Sequence, residues 1–215
     1  MKIKEINRMV VKIGSSLLID KDKGVNNNFL NNISEDILSL KKRGIETLVV
    51  SSGAIELWKI ELDKTIENFN LAESQAASSI GQIKLINSWK ESLSKFDLNA
   101  AQILITAEDT ENRKRFLNAR STIEELLREK YIPIINENDT VATSEIRYGD
   151  NDRLAARIAG MVAADCLILL SNVEGLYERD PSNEESRLVS NVEIIDKSVT
   201  DMAVSYTHLT LPTKA

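Results

Sequence analysis

The sequence predicts an α/β protein, with a mainly parallel sheet covered on both faces by helices. Three observations predict it. Short runs such as "MVVKI", "TLVV", "YIPII" and "CLILL" are apolar throughout, as strands buried on both faces must be. Amphipathic stretches of helical spacing lie between them. No internal repeat and no linker rich in Gly, Pro or Ser interrupts the 215 residues.

The elements follow in order. "MVVKI" (9–13) is rich in β-branched residues and stops at Gly14, which reads as a first strand. Leu30, Ile33, Ile37 and Leu40 keep a helical period, with Lys41, Lys42 and Arg43 in the last turn and Gly44 as the stop. "TLVV" (47–50) is a second buried strand that runs into "SSGAI". The chain from Leu71 to Phe96 contains no proline and reads as mainly helix, in which Gly81 marks close packing or a break. "AQILIT" (101–106) is a third strand. A helix is predicted over 110–130 with Phe116, Leu117, Ile123 and Leu127 on its inner side. "YIPII" (131–135) is a fourth strand, and the partial alternation of "TVATSEIRY" (140–148) suggests a small hairpin. Leu154, Ile158 and Met161 restore the helical period after "GDND", and "DCLILLS" (165–171) is another buried strand.

Composition narrows the class. Apolar residues make up 42% and charged residues 28%, the balance of a globular chain with a real core. A net charge of −6 argues against a nucleic-acid surface. The basic residues of "NRKRFLNAR" (112–120) alternate with apolar ones at helical spacing and read as a solvated face. Cys166 is the single cysteine, so no internal disulfide forms; its apolar neighbours make it a core residue and suit a reducing compartment. The first residues carry no apolar signal region, and no run approaches the roughly 20 apolar residues of a membrane span. The expected location is cytoplasmic, with no membrane partner.

In parallel α/β folds ligands sit beyond the carboxyl ends of the strands. Lys12 to Ser16, Ser51 to Gly53, Asn136 to Asp139, and Ser171 with Asn172 fall there. The common phosphate signatures GxxxxGK(S/T) and GxGxxG are absent. "KIGSS" still offers a glycine for close backbone approach, the hydroxyls of Ser15 and Ser16, and the cation of Lys12; the same residues also suit an exposed turn. "SSGA" serves equally as an ordinary helix cap or as an anion-favouring helix start. The stretch 135–152 holds Glu137, Asp139, Glu145, Asp150 and Asp152 against one cation, Arg147. It does not match a calcium loop, because the glycine precedes "DND" instead of following it. His208 is the single histidine and lies far from Cys166 in the chain, which disfavours zinc and a Ser-His-Asp triad alike. No metal ligand is assigned. As structure, "GDND" reads as a turn and helix cap, with Asp150 or Asn151 capping and Asp152 favoured by the helix dipole.

The runs "VVKIGSS", "SSGAI", "FLNAR", "PIINENDTVAT", "GDND" and "LLSNVEGLY" stand in an order and spacing that resembles the amino acid kinase family, over about residues 7 to 203. "NENDTVAT" with "GDND" is similar to the branch that phosphorylates glutamate. The resemblance implies a three-layer α/β/α sandwich. It implies transfer of the ATP γ-phosphoryl group to the γ-carboxylate of L-glutamate, the first step of proline biosynthesis, with proline as a feedback inhibitor at or near the glutamate site. Lys12 and Asp152 then match the catalytic positions, the lysine on the phosphates and the aspartate orienting it. Ser52, Gly53, Asp139, Asp150 and Asn151 match the substrate side. Lys12, Gly14, Ser15, Ser171 and Asn172 match the ATP side. Mg2+ is expected to be carried on the ATP phosphates, and self-association is expected of a full-length member.

After about Ala203 the resemblance stops. Family members continue with a glycine-rich segment, GTGGM-x-TK, but here Gly175 is the last glycine. Residues 204–215 read as an unrelated tail, residues 1–203 as a kinase domain with an incomplete nucleotide lobe, and little turnover is expected from these residues alone. The alternatives are a non-catalytic module that binds glutamate or proline, a kinase of the same family acting on a carbamate or an acetylated amino acid, and a nucleotide-binding domain without phosphoryl transfer.

Overall fold

The computed structural model describes residues 6–20, 22–61, 70–142, 151–179 and 185–206. The chain divides into two units, Met1–Leu170 and Ser171–Ala215.

In the first unit, strands β1 (Arg8–Ile13), β4 (Glu46–Ser51), β5 (Asn99–Ile105), β6 (Tyr131–Glu137) and β7 (Cys166–Leu170) form one sheet in the order β5-β6-β4-β1-β7. Every pairing is parallel. Each crossover places a helix on one face or the other, so both faces are covered, as the sequence predicts. The strand period of two sorts the side chains. Met9, Val11, Ile13, Val49, Ile132 and Ile134 enter one core with Leu30, Ile37, Leu85, Trp89 and Leu93. Val10, Leu48, Val50 and Ile135 enter the other with Ile123, Leu127, Leu154, Ile158 and Met161.

The helices begin where side chains satisfy their first amides. In α2 (Asn27–Lys42) the Asn26 side chain accepts from the Phe29 amide, and Gly44 closes the helix at φ +79°. In α4 (Leu71–Ser94) Asn70 and Glu73 make a reciprocal capping box. That helix runs through Gly81 without a break. Gly81 is instead a contact point with α3 (Ala54–Glu61), since a Cβ there would lie 1.7 Å from the Ala54 carbonyl oxygen. Helix α7 spans Asn151–Met161.

Some elements differ from the sequence-based expectation. The predicted helix over 110–130 is two helices, α5 (Ala107–Glu111) and α6 (Arg113–Arg128). Asn112 separates them because its side chain accepts from the Lys114 and Arg115 amides and starts a new helix. In α6 Ile123 and Leu127 are buried, whereas Leu117 is 47% exposed. Strand β7 is an edge of the sheet and half-buried, with Leu169 exposed; an apolar run alone does not distinguish a central strand from an edge. The short helix α1 (Ser15–Leu18) and the hairpin of β2 (Ile19–Asp20) and β3 (Gly24–Val25) have no periodic signature in the sequence. The hairpin predicted at 140–148 lies largely outside the described residues. In the second unit, β8 (Leu176–Tyr177) pairs antiparallel with β9 (Leu188–Val189), and α8 (Lys197–Tyr206) follows. Among the described residues no helix is long and apolar enough to cross a membrane.

Arg8 ties the amino ends of the sheet to the helices. Its guanidinium donates to Glu46 at 2.7 and 2.9 Å, to both carboxylate oxygens of Glu124 at 2.6 and 2.9 Å, and to the Val162 carbonyl at 2.6 Å. The hydrogen bonds from Arg8, more than its charge, hold the Glu124 carboxyl below its ordinary pKa. Asp165 accepts from the amides of Asn7 and Arg8 at 2.7 and 3.0 Å, and these bonds lower its pKa as well.

Both depressed carboxylates contribute stability above the usual carboxylate range and lose it as pH falls through their folded-state values. Arg8 stays charged throughout and adds no slope there. Urea midpoints measured from pH 7 to pH 3 are expected to fall in acid, and less steeply in Glu124→Gln and Asp165→Asn. A wild-type slope in both variants rules out this source. Glycines give a second prediction. Gly81→Ala is expected to destabilise by roughly 1–3 kcal/mol, because the clash is with backbone and no rotamer relieves it. Gly160 in α7 is exposed, with nothing within 4 Å of an added Cβ, so Gly160→Ala is expected to stabilise by about 0.5–1 kcal/mol in the same urea titration.

Candidate active site

Three of the central strands end in polar residues. β1 carries Lys12 and leads to Gly14; β4 ends in Ser51 and continues to Ser52 and Gly53; β6 ends in Asn136 and Glu137. Parallel pairing places these ends along one edge, with Ile13 in register with Ser51.

Lys12 is only 8% exposed. A buried ammonium needs an anion, and Asp152 supplies it, with Nζ to Oδ1 at 2.5 Å. Asp152 stands in the first turn of α7, where the helix dipole also favours a carboxylate. The Lys12 ammonium lies beside Gly14. A Cβ built on Gly14 would be 3.9 Å from Nζ and 3.7 Å from its nearest neighbour, the Leu170 carbonyl. Gly14 has φ −71°, an ordinary value, so neither backbone nor packing demands a glycine there. The small residue leaves room for about one methyl group next to a cation.

The two serine turns are neighbours. A Cβ on Gly53 would fall 3.5 Å from the Ser15 Cβ and 2.5 Å from Ile19 Cδ1, and Gly53 has φ +112°. The backbone conformation favours glycine here, while the Ile19 methyl, the end of a flexible side chain, could move aside. The Ser52 amide donates to the Ile13 carbonyl at 3.3 Å, and the Gly53 carbonyl accepts the first helical bond of α3, from Leu57.

Asn151 joins the strand ends. Its Nδ2 lies 2.7 Å from Ser52 Oγ, 2.9 Å from Asn136 Oδ1 and 3.2 Å from the Ser51 carbonyl. With two protons for three acceptors, the two shorter bonds are the main ones. Ser52 is thus an acceptor towards Asn151, and its own proton is available to a ligand. The Asn136 Oδ1 is saturated, since it also takes the Glu137 amide, and its Nδ2 donates to Gln82 Oε1 at 2.8 Å.

Asp139 has a separate support. Ser78 Oγ of α4 donates to its Oδ2 at 2.6 Å, and Ser79 and Thr140 share a hydrogen bond nearby. Gln75 holds the Ala142 carbonyl at 3.0 Å. Ser78, Gln82, Glu137, Asp139 and Thr140 line one side of a pocket of about 270 Å³ that Ile83, Ile86 and Leu104 also line.

The structure therefore brings Lys12 to Asp152 and Gly14, Ser15 to Gly53, and Asn151 to Ser52, with Asp139 beyond the end of β6. Asp150 and Glu145 lie outside the described residues. Ser171 and Asn172 open the second unit, with Ser171 Oγ donating to Asn172 Oδ1 at 3.2 Å. Glu137 is buried rather than solvated. Asn136, which the strand-end reading includes, is supported by Gln82, Asp139 by Ser78, and Ser51 by Trp89, whose Nε1 donates to Ser51 Oγ at 3.0 Å; motif reading misses Gln82, Ser78 and Trp89. A signal exists for the last three. Ser78, Gln82, Leu85 and Trp89 recur at helical spacing on the buried stripe of α4, so two polar residues sit where apolar ones are expected.

Among the described residues no cluster of three or more His, Cys, Asp or Glu could hold a metal. The arrangement offers a paired cation next to a glycine, a hydroxyl donor aimed by an amide, and a carboxylate on a neighbouring loop. It can hold an anion at one end and an ammonium at the other.

Known proteins resemble this chain in sequence. The chain is 52% identical to a glutamate 5-kinase of Rhizobium rhizogenes over 91% of its own length and 51% of the relative's. It is 51% identical to one from Agrobacterium fabrum over 92% and 51% of the two lengths, and 50% identical to one from Brucella ovis over 94% and 54%. The chain thus spans about half the length of the curated relatives it matches. The model of the amino acid kinase family matches residues 7–203, which takes in every element of the lysine-and-asparagine site. With a parallel sheet whose strand ends carry that site, the chain belongs to the amino acid kinase family.

Proposed function

We propose that this chain carries the glutamate-recognising part of an ATP-dependent kinase that converts L-glutamate to γ-glutamyl phosphate, the first step of proline biosynthesis. The observation that carries the reading is the pairing of two devices at adjoining strand ends. Asn151 fixes Ser52 as an outward donor, and Asp152 fixes Lys12 beside the space at Gly14. The names of the relatives support the same substrate.

The reaction joins an oxygen of the γ-carboxylate to the terminal phosphorus of ATP while the bond to ADP breaks. The protein's task is positioning and charge neutralisation. Lys12 meets the negative charge of the transferring group, and Asp152 holds its ammonium in place. The Ser52 hydroxyl and the backbone at Gly53 receive a substrate carboxylate, and Asp139 receives the α-ammonium. Gly14 and Ser15 give the phosphates close access to backbone. Asp150 belongs to the substrate side and Ser171 with Asn172 to the nucleotide side of this reading. Mg2+ accompanies the phosphates, keeping most of its water. Proline, with an ammonium and a carboxylate of its own, competes at or near the glutamate site. Exposed Ile80, Ile83 and Leu104 on α4 and β5 support self-association.

Two experiments test this. In thermal-shift and calorimetric titrations L-glutamate is expected to bind, and Ser52→Ala and Asp139→Asn to weaken it about tenfold or more, ~1.4 kcal/mol each. N-acetyl-L-glutamate lacks the ammonium and is expected not to bind. Preference for it would assign the chain to another branch of the family. Turnover is followed as γ-glutamyl hydroxamate formed from glutamate, MgATP and hydroxylamine. Lys12→Ala is expected to lose at least about 100-fold of the wild-type rate, ~3 kcal/mol, with glutamate affinity changed only a few-fold. Glutamate binding in a chain whose hydroxamate signal does not depend on Lys12 favours the non-catalytic binding module.

A further inference from the structure

At the opposite edge of the sheet, β6 is zipped to one neighbour and not to the other. Its ladder with β5 runs from Asn99–Tyr131 to Ile105–Glu137, whereas its ladder with β4 consists of Val49–Ile134 and Val50–Ile135. The next residue down is Pro133, which has no amide proton to give. Below it the seam opens into a pocket of about 90 Å³, lined by Thr47, Ile132 and Tyr131 of the strands and by Lys41 and Lys130. That volume is several times what one water needs.

Three features of the pocket bear on what it could hold. Thr47 is 2% exposed, yet its hydroxyl has no hydrogen-bond partner. Valine would fill the same volume without burying an unpaired hydroxyl. Lys130 follows the end of α6 at φ +65°, a conformation that favours glycine. Lys41 stands in the last turn of α2, and neither lysine has an ion-pair partner among the described residues. They are not needed as helix caps, because the Leu40, Lys41, Glu125 and Leu127 carbonyls already accept backbone amides. Glu46, the acid that lines the pocket, is engaged with Arg8. The mouth thus carries two cations without an ion-pair partner among the described residues, and Thr47 lines the same pocket.

We propose that the cleft between the amino ends of β4 and β6 binds a small oxyanion, a carboxylate or a phosphate, through Lys41, Lys130 and the Thr47 hydroxyl. The ligand accepts two ammonium donors at the mouth and one hydroxyl inside, with Ile132 and Tyr131 against its remaining surface. The site is separate from the Lys12 site, since the two lie at opposite ends of the strands.

The test uses the 215-residue chain in chloride, phosphate and acetate at equal ionic strength. Phosphate, acetate or both are expected to raise Tm saturably at millimolar concentration, and the arm that saturates first identifies the oxyanion. Thr47→Val is expected to raise Tm in chloride, by removing an unpaired buried hydroxyl, and to abolish the anion-dependent rise. Lys130→Gly is expected to be as stable as wild type or more so in chloride and to bind the anion at least fivefold more weakly. Amide chemical shifts of residues 47 and 130 supply a readout that does not depend on unfolding. An unchanged response in Thr47→Val, as anions at the Lys12 site would give, or equal non-saturating effects of all three salts, overturns the proposal.

Discussion

The ion pair of Lys12 and Asp152 is the constraint around which the first unit is arranged. Lys12 sits on β1, between β4 and β7, where only 8% of it reaches solvent. An ammonium so placed carries a desolvation cost of several kcal/mol unless an anion is close. The anion comes from the first turn of α7, so that helix must start above the carboxyl end of β1. Its apolar face, with Leu154, Ile158 and Met161 buried against Val10 and Leu48, keeps it there. Packing fixes the helix, and the helix fixes the charge.

Asn151 and Asp152 are consecutive, and this adjacency couples two functions. Neighbouring residues in a helix's first turn point in different directions. One turns to Lys12 and the other to Ser52 and Asn136. Any shift of the α7 start moves both the cation's partner and the hydroxyl's orienting amide. From Asn136 the chain of bonds continues to Gln82 on α4, and Ser78 of the same helix holds Asp139. Gly81 lies between these two residues, pressed on Ala54 at the start of α3. One helix thus spaces the Ser52–Gly53 turn and the Asp139 loop, which the proposed reading assigns to the two charged ends of one amino acid.

The order of strands and helices is legible in the sequence because apolar runs and 3.6-residue periodicity survive without tertiary information. Lys12, Gly14, Ser52, Asn151 and Asp152 are legible for a second reason. Each breaks an apolar pattern at a strand's carboxyl end or a helix's start, where backbone geometry presents side chains to ligands. Asn136 and Gln82 are harder, since a buried amide declares itself only when its partner is known, and theirs are 54 residues apart. The split at Asn112 depends on a side chain outcompeting one backbone bond, a difference of about 1 kcal/mol that periodicity does not register. The edge position of β7 follows from strand order, which composition does not encode.

The two ends of β4 show how one strand serves two purposes. Towards its carboxyl end Ser51 accepts from Trp89 at its hydroxyl and from Asn151 at its carbonyl. Towards its amino end the ladder with β6 is interrupted at Pro133, and Thr47 is left without a partner. A strand whose polar groups were all satisfied would be more stable, so the unsatisfied end is a departure from the economy seen elsewhere in the core. Such a departure is stable in a folded chain only if the rest of the sheet over-determines it. The register of β4 with β1, continuous from Glu46 to Ser51, does that. It holds Thr47 facing a cleft it would otherwise collapse into, and it ties that cleft to the Lys12 site through a single inextensible strand.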